Sequence, residues 1–198
     1  MTVSKQSGLS LIELMVTIAV LAILATVAVP SMIQYINRAR LVSVAEELQR
    51  DIQFARSETI RNNRPVLLTV KTGSQQCYGL TAKTSACNCT LTNAATNNYC
   101  ELKRQDISSQ ITLSKGVDVA LSLGGTTGTS GNFSSVGFDP IRSIPFDTST
   151  SAVLSNDQTL QLENASGKQL HLVLSVTGRA TLCSPSGSTF AGGYPNGC

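Results

Sequence analysis

Apolar residues dominate the start of the chain in a way that they do nowhere else. From Leu9 to Val29 they form a nearly unbroken run of 21 residues in which Glu13 is the only charge. As a helix this run extends about 31 Å, which matches the hydrocarbon core of a bilayer. We therefore predict a membrane-spanning helix over 9–29, preceded by a short polar segment over 1–8.

A cleavable secretory signal peptide is the alternative interpretation of this segment. Lys5 precedes the apolar run, and Ala25 and Ala28 supply small residues near its end. The run is longer than the roughly 7–15 residues of a signal-peptide core. Glu13 would oppose insertion by about 2.5–3.5 kcal/mol at the bilayer centre, so its carboxylate needs a partner. We therefore favour a helix that is retained.

After Pro30 the apolar residues recur every three or four positions, which is typical of an amphipathic helix. We predict a stem helix over 30–64, so that helix runs from Leu9 to Arg61 for about 80 Å. Pro30 removes one backbone hydrogen bond, and we expect a break or bend there. The charges are predicted to lie on a solvated face opposite the apolar stripe. They are Arg38, Arg40, Glu46, Glu47, Arg50, Asp51 and Glu58.

From Pro65 onward short apolar runs alternate with Gly, Asn, Ser and Thr, a pattern that predicts β-strands. Two hairpins are expected, one turning at Asn164–Gly167 and one at Thr177–Gly178. We therefore predict an α+β fold, in which the long N-terminal helix packs on an antiparallel β-sheet domain over 65–198. The predicted strands are Val66–Lys71, Tyr78–Ala82, Ile107–Leu113, Val117–Leu123, Ser135–Phe138, Thr159–Glu163, Lys168–Val176 and Arg179–Leu182.

Six cysteines follow the apolar run, and no cysteine precedes it. Their spacing does not match a zinc site, so we predict disulfides and an oxidising compartment for this part of the chain. Cys183 and Cys198 are predicted to close a C-terminal loop, which would remove about 3 kcal/mol of unfolded-state entropy. The pairing among the other four is left open. They are Cys77, Cys87, Cys89 and Cys100.

Composition argues against several function classes. A net charge of +3 is too small to indicate nucleic acid as the main partner. The single histidine, His171, falls on the polar face of a predicted strand, and the acidic residues are scattered. We therefore predict no enzyme, no metal site and no cofactor.

The segment Gly8-Leu-Ser-Leu-Ile-Glu-Leu14 resembles the processing site of type IV prepilins. The resemblance implies that a prepilin peptidase cuts after Gly8 and N-methylates Leu9, and that Glu13 is the family's assembly glutamate. Cleavage would create an amino cation at Leu9, one helical turn from Glu13. Because an unpaired buried charge is costly, such a pair would set the register between neighbouring subunits.

The stem is similar to that of minor pilins and pseudopilins of the FimT, FimU and GspH type, through Ala55–Arg61 followed by Pro65-Val66. The resemblance implies a type IV pilin-like fold and a structural minor pilin of the pilus priming or tip complex, acting in pilus biogenesis, twitching motility and adhesion. The implied partners are other minor and major pilins, prepilin peptidase, the inner-membrane assembly machinery and membrane lipid. The implied location is the bacterial inner membrane, with the domain in the periplasm, and then the pilus surface.

Two other functions are compatible with the same architecture. One is a GspH-type pseudopilin of type II secretion. The other is a DNA receptor for natural transformation, since Gly178-Arg179-Ala180-Thr181 corresponds to the C-terminal GRxR motif of some FimT-type pilins. Thr181 replaces the second arginine, and beyond Arg64 eight basic residues face seven acidic ones. DNA binding through Arg179 is therefore not favoured.

Overall fold

A computed structural model describes residues 10–71, 75–107, 120–124, 134–164, 166–185 and 193–195. The chain divides into two compact units, Met1–Ile36 and Asn37–Cys198, which we describe separately. One helix, α1, spans Leu11–Asn62. The described strands are β1 (Val66–Lys71), β2 (Cys77–Thr81), β3 (Lys103–Asp106), β4 (Ala120–Gly124), β5 (Ser134–Phe138), β6 (Pro145–Asp147), β7 (Gln158–Glu163), β8 (Gln169–Leu174) and β9 (Ala180–Cys183).

The first unit contains the apolar part of α1, where every side chain from Leu11 to Tyr35 is exposed. The hydroxyls of Thr17 and Thr26 donate to the backbone carbonyls three residues earlier, at 2.8 and 2.7 Å. The polar atoms of both threonines are thereby satisfied within the helix, as lipid or an apolar partner requires. The helix is long and apolar enough to cross a membrane.

Of the break or bend predicted at Pro30, the break is not found, because α1 continues through this residue, and the bend stays a prediction. A proline removes one hydrogen bond from the helical ladder and leaves the bonds of the neighbouring turns intact. The predicted span of Leu9 to Arg61 agrees with the observed helix to within about two residues at each end, as is usual for helix boundaries. Leu9 itself lies outside the described residues.

The second unit contains two antiparallel sheets. The five-stranded sheet has the order β3-β2-β1-β5-β6, and the four-stranded sheet has the order β4-β7-β8-β9. Both predicted hairpins are confirmed, since β7 pairs with β8 through Leu162 and Leu170, and β8 pairs with β9 through Leu174 and Ala180. Strand β1 has the predicted bounds.

Two strands were not predicted from the sequence. Strand β3 consists of Lys-Arg-Gln-Asp, and β6 is three residues long and begins with Pro145. Both lie at edges of the five-stranded sheet, where polar residues and proline are tolerated because one side of the strand needs no partner. Ile107 is predicted to begin a strand, but it instead follows β3 and is buried. The rest of that predicted strand, 108–113, and residues 117–119 of the next lie outside the described residues.

The core lies between the stem and the inner faces of both sheets. The stem contributes the predicted stripe, and in β8 every second residue is buried, as expected for a strand with one face on a core. The α+β fold predicted from the sequence is therefore confirmed. The buried core includes Leu41, Val44, Leu48, Ile52, Leu68, Val70, Tyr78, Leu80, Phe138, Leu162, Leu170 and Leu172.

Candidate functional site

The predicted assembly residue Glu13 lies in the first turn of α1, in a segment whose side chains are all exposed. No ion pair to Glu13 exists within the part of the chain that the structure describes. The predicted processing residues Gly8 and Leu9 lie outside that part. The arrangement leaves one carboxylate on a helix surface of otherwise uncharged side chains up to Asn37.

The stem is joined to the five-stranded sheet by four polar side chains, which we name the stem lock: Glu47, Asp51, Tyr78 and Lys103. The Tyr78 hydroxyl donates to Asp51 Oδ2 at 2.6 Å. Lys103 Nζ donates to Asp51 Oδ1 at 2.7 Å and to Glu47 Oε1 at 3.2 Å. Tyr78 is on β2 and Lys103 is on β3, so the lock holds two strands against one helix.

Burial changes the chemistry of the stem lock. The pKa of Tyr78 is raised far above its usual range, first by burial and then by its hydrogen bond to the Asp51 carboxylate. Burial on its own would lower the pKa of Lys103, but the hydrogen bonds that Lys103 donates to the Asp51 and Glu47 carboxylates outweigh burial and raise the pKa. The lock is thus a protonated tyrosine and a charged lysine that share one carboxylate.

The prediction that Asp51 and Glu58 lie on a solvated helix face is wrong, since each is 6% exposed. Glu58 accepts hydrogen bonds from Arg61 at 2.8 Å and from Asn62. The hydrogen bond from Arg61 lowers the pKa of Glu58. A sequence signal existed for Asp51, because Glu47 and Asp51 are acids spaced i,i+4 and such like charges are unfavourable on a helix without a cation from elsewhere.

The stem end is fixed to the sheet by Thr59, which is fully buried. Its hydroxyl donates to the Ala55 carbonyl at 2.9 Å and accepts from the backbone N–H of Val66 at 3.2 Å. Val66 opens β1, so the turn from helix to sheet is held by one side chain.

The structure supplies the disulfide pairing that the sequence left open. Cys77 is joined to Cys89, and Cys87 to Cys100, so the two bridges cross in sequence. All four are buried together. Gly79 makes room for this cluster, because a side chain there would overlap Cys100.

The C-terminal region contacts the stem through Tyr194. Its hydroxyl donates to Glu46 Oε1 at 2.8 Å, and burial together with this bond raises the pKa of Tyr194 to about 12. Ser184 N–H donates to the Pro195 carbonyl at 2.9 Å. Cys183 is disulfide-bonded. Its predicted partner Cys198 lies outside the described residues, and that pairing stays a prediction.

Arg179, the residue considered for DNA contact, is exposed in the turn between β8 and β9. The preceding residue, Gly178, has φ of 78° and lies against the stem. A β-carbon at Gly178 would lie 2.9 Å from the Ser143 carbonyl oxygen and 3.1 Å from Arg56 Nε. Three segments distant in sequence therefore meet at this turn.

His171 is half-buried on β8, and burial lowers its pKa. Its Nε2 atom is buried without a hydrogen-bond partner among the described residues. Within the same residues, no three of the His, Cys, Asp and Glu side chains are grouped so that they could hold a metal ion.

Comparisons with known proteins match two family models and one relative. A family model described as type II transport protein GspH matches residues 44–178, and a model of the prokaryotic N-terminal methylation motif matches residues 3–29. A type IV major alpha-pilin of Moraxella bovis is 33% identical over 79 residues, which are 40% of this chain. The chain spans about half the length of that relative, 50%. No solved structure matches.

Proposed function

The chain belongs to the GspH family of pilin-like and pseudopilin-like proteins, and from that premise we propose that it is a structural minor pilin of a type IV pilus. In this proposal prepilin peptidase cuts after Gly8 and N-methylates Leu9. The mature chain then joins other minor and major pilins, with the inner-membrane assembly machinery, in the complex that primes or tips the pilus.

The observation that carries the proposal is the exposed apolar surface of the first unit. Fifteen of the nineteen exposed large hydrophobic side chains among the described residues lie between Leu11 and Tyr35. An apolar surface of this extent is not stable in water and marks a membrane or protein contact. Lipid of the inner membrane would cover it before assembly, and the helices of other subunits would cover it afterwards.

Glu13 supports the same proposal through its charge. A carboxylate within an apolar helix is retained only where it has a partner. Cleavage after Gly8 would supply that partner as the amino group of Leu9, either in the same subunit or in the next. The methylation-motif match over residues 3–29 is consistent with this processing.

The disulfides support a periplasmic location for the second unit. Two crossed bridges are buried in it, and such bonds persist in oxidising compartments such as the bacterial periplasm. The likeness to a type IV pilin favours the pilus, whereas the GspH family model favours a pseudopilin of type II secretion. The pseudopilin is therefore the second candidate.

The test is to follow processing and assembly of the full chain in cells. We expect mass spectrometry to find N-methylated Leu9 at the mature N-terminus, and sheared pili to contain the protein. Glu13→Ala should be cut normally but be absent from pili, whereas Gly8→Val should stay uncut. Thr17→Ala, whose hydroxyl bonds only within the helix, is the matched control and should behave as wild type.

Wild-type abundance of Glu13→Ala in pili would refute the role of Glu13. Incorporation that requires a type II secretion machine and not a pilus machine would favour the pseudopilin.

A further inference from the structure

The β8–β9 turn approaches the stem where Gly178 lies against Ser143 and Arg56, and exposed arginines and isoleucines stand next to these residues in sequence or one helical turn away. Arg142 and Arg179 are exposed next to Ser143 and Gly178, the residues that touch there. Ile141 precedes Arg142 and is 86% exposed, and Ile60 on the stem is 58% exposed. Ile60 lies one helical turn beyond Arg56, on the same side of the helix. We name Arg56, Ile60, Ile141, Arg142 and Arg179 the basic–aliphatic patch.

The patch carries three arginines that form no salt bridge within the described residues, although Arg142 interacts electrostatically with Asp139. Arg56 Nε is buried and has no hydrogen-bond partner among the described residues. A guanidinium group offers five donors in a planar fork, which suits carboxylates and phosphates.

Three acidic groups lie near the patch, and each accepts hydrogen bonds within the described chain. Asp139 Oδ1 accepts the N–H groups of Ile141 and Arg142 at 2.9 and 2.7 Å. Asp157 Oδ1 accepts the N–H of Val176 at 3.0 Å, in the segment that leads to the β8–β9 turn. Glu58 is paired with Arg61. These carboxylates reduce the positive field, but their oxygens named here bind backbone or another cation.

The exposed isoleucines favour a protein over a nucleic acid as the ligand of the patch. Phosphate recognition by a nucleic-acid-binding surface uses many cations and, for single strands, stacked aromatic rings. The patch instead combines three arginines with exposed aliphatic side chains and has no aromatic member. Arginine and apolar residues together are typical of protein–protein interfaces.

We propose that the basic–aliphatic patch binds a neighbouring pilin subunit through carboxylate and aliphatic side chains of that subunit. This inference rests on the proposed function, since it requires that the chain assembles with other pilins. The arginines would give the contact its orientation, and Ile60 and Ile141 would contribute the apolar area buried at its centre.

The experiment places a photo-crosslinking amino acid at single positions of the full chain in cells that assemble it. A probe at Ile141 tests the patch. A probe at Leu21 reports assembly through the apolar helix, and a probe at Val153, an aliphatic residue outside the patch with 48% exposure, is the matched control.

We expect the Ile141 probe to crosslink to another pilin-family chain at a peptide that contains Asp or Glu, and the Val153 probe to give no such product. The double change Arg142→Gln and Arg179→Gln should reduce the Ile141 product about tenfold, as for arginine anchors of interfaces. Arg50→Gln, an exposed stem arginine, should leave it unchanged. Arg179→Glu combined with a change of the crosslinked Asp or Glu of the other chain to Arg should restore the Ile141 crosslink.

The arms separate the ways in which the inference can fail. Crosslinking from Leu21 without crosslinking from Ile141 overturns the patch and leaves the proposed function standing. Loss of both products overturns the proposed function and the patch with it. A gel shift of duplex DNA by the purified full chain in detergent, weakened by Arg179→Gln and unaffected by Ile141→Ser, would assign the patch to phosphate instead.

Discussion

Between Leu11 and Tyr35 every side chain of α1 is exposed, whereas between Asn37 and Thr59 the same helix buries ten side chains. The difference extends to charge. Glu13, in the first part, has no ion pair among the described residues, while Asp51, in the second, accepts from both Tyr78 and Lys103. Most side chains of the stem part that need a partner or burial therefore find it within the chain, Arg56 Nε being an exception, whereas no side chain between Leu11 and Tyr35 is buried by the described residues.

The largest expected effect on the free energy of unfolding comes from replacing a buried leucine of the stem part with alanine, compared with the same replacement in the apolar part. Leu48 is fully buried and Leu24 is 61% exposed. Leu48→Ala should lower the free energy of unfolding by about 2–5 kcal/mol, since it leaves a cavity in the core. Leu24→Ala should leave it within about 0.5 kcal/mol. Denaturant unfolding of the full chain in detergent measures both, and equal losses would remove the contrast between the two parts.

A somewhat smaller loss of stability is expected when the stem lock loses the Asp51 carboxylate. Asp51→Ala leaves the buried Tyr78 hydroxyl without its acceptor and Lys103 with one carboxylate, which should cost about 2–4 kcal/mol. Asp51→Asn keeps an acceptor for Tyr78 and should cost less. Glu13→Ala, measured in the same unfolding assay, should have almost no effect. If Asp51→Ala were as silent as Glu13→Ala, the lock would not stabilise the fold.

Alkaline pH should reduce the stabilisation that the stem lock gives to the stem part, and it should not affect the apolar part. The folded-state pKa values of Tyr78 and Lys103 are both raised, so their contribution is complete below the unfolded values near 10 and is lost as pH rises. Unfolding measured from pH 8 to pH 11 should show wild-type stability falling above about pH 10. Tyr78→Phe should start less stable and fall less steeply, and an unchanged slope would exclude Tyr78 as the titrating group.

The smallest effect is expected at the contact between Tyr194 and the stem. Tyr194→Phe removes one hydrogen bond to Glu46, a residue whose side chain is 48% exposed. The loss should be about 0.5 kcal/mol, at the low end for a hydrogen bond, because water can replace the partner. Calorimetry of the full chain would detect it as a small shift in Tm. A loss as large as that of Leu48→Ala would show that Tyr194 supports the core.

The periodicity of apolar residues predicted the elements whose structure depends on residues close in sequence. It gave α1, the stem stripe, β1 and both hairpins, because a buried face forces a repeat of three to four residues in helices and of two in strands. It did not give β3 or β6, which are edge strands held by the backbone of the next strand and carry no apolar alternation.

The polar partners in the site were missed for a different reason, although the i,i+4 acids Glu47 and Asp51 indicate that a cation comes from elsewhere. The acidic side chain of Asp51 predicts a position on the solvated face of the stem, but β2 and β3 bring a tyrosine and a lysine to it from 27 and 52 residues away. The patch around Arg56 likewise joins the stem to two distant turns. Such contacts depend on how the sheets pack on the stem, and the periodicity of apolar residues cannot predict them.

The crossed pairing of Cys77 with Cys89 and of Cys87 with Cys100 has a consequence for resistance to proteolysis. A protease that cuts the backbone between Cys77 and Cys87 leaves the pieces joined by the first bridge. A cut between Cys89 and Cys100 leaves them joined by the second, and a cut between Cys87 and Cys89 leaves both bridges across it. Wherever this segment is nicked, the chain remains one covalent molecule that can still transmit tension along its length.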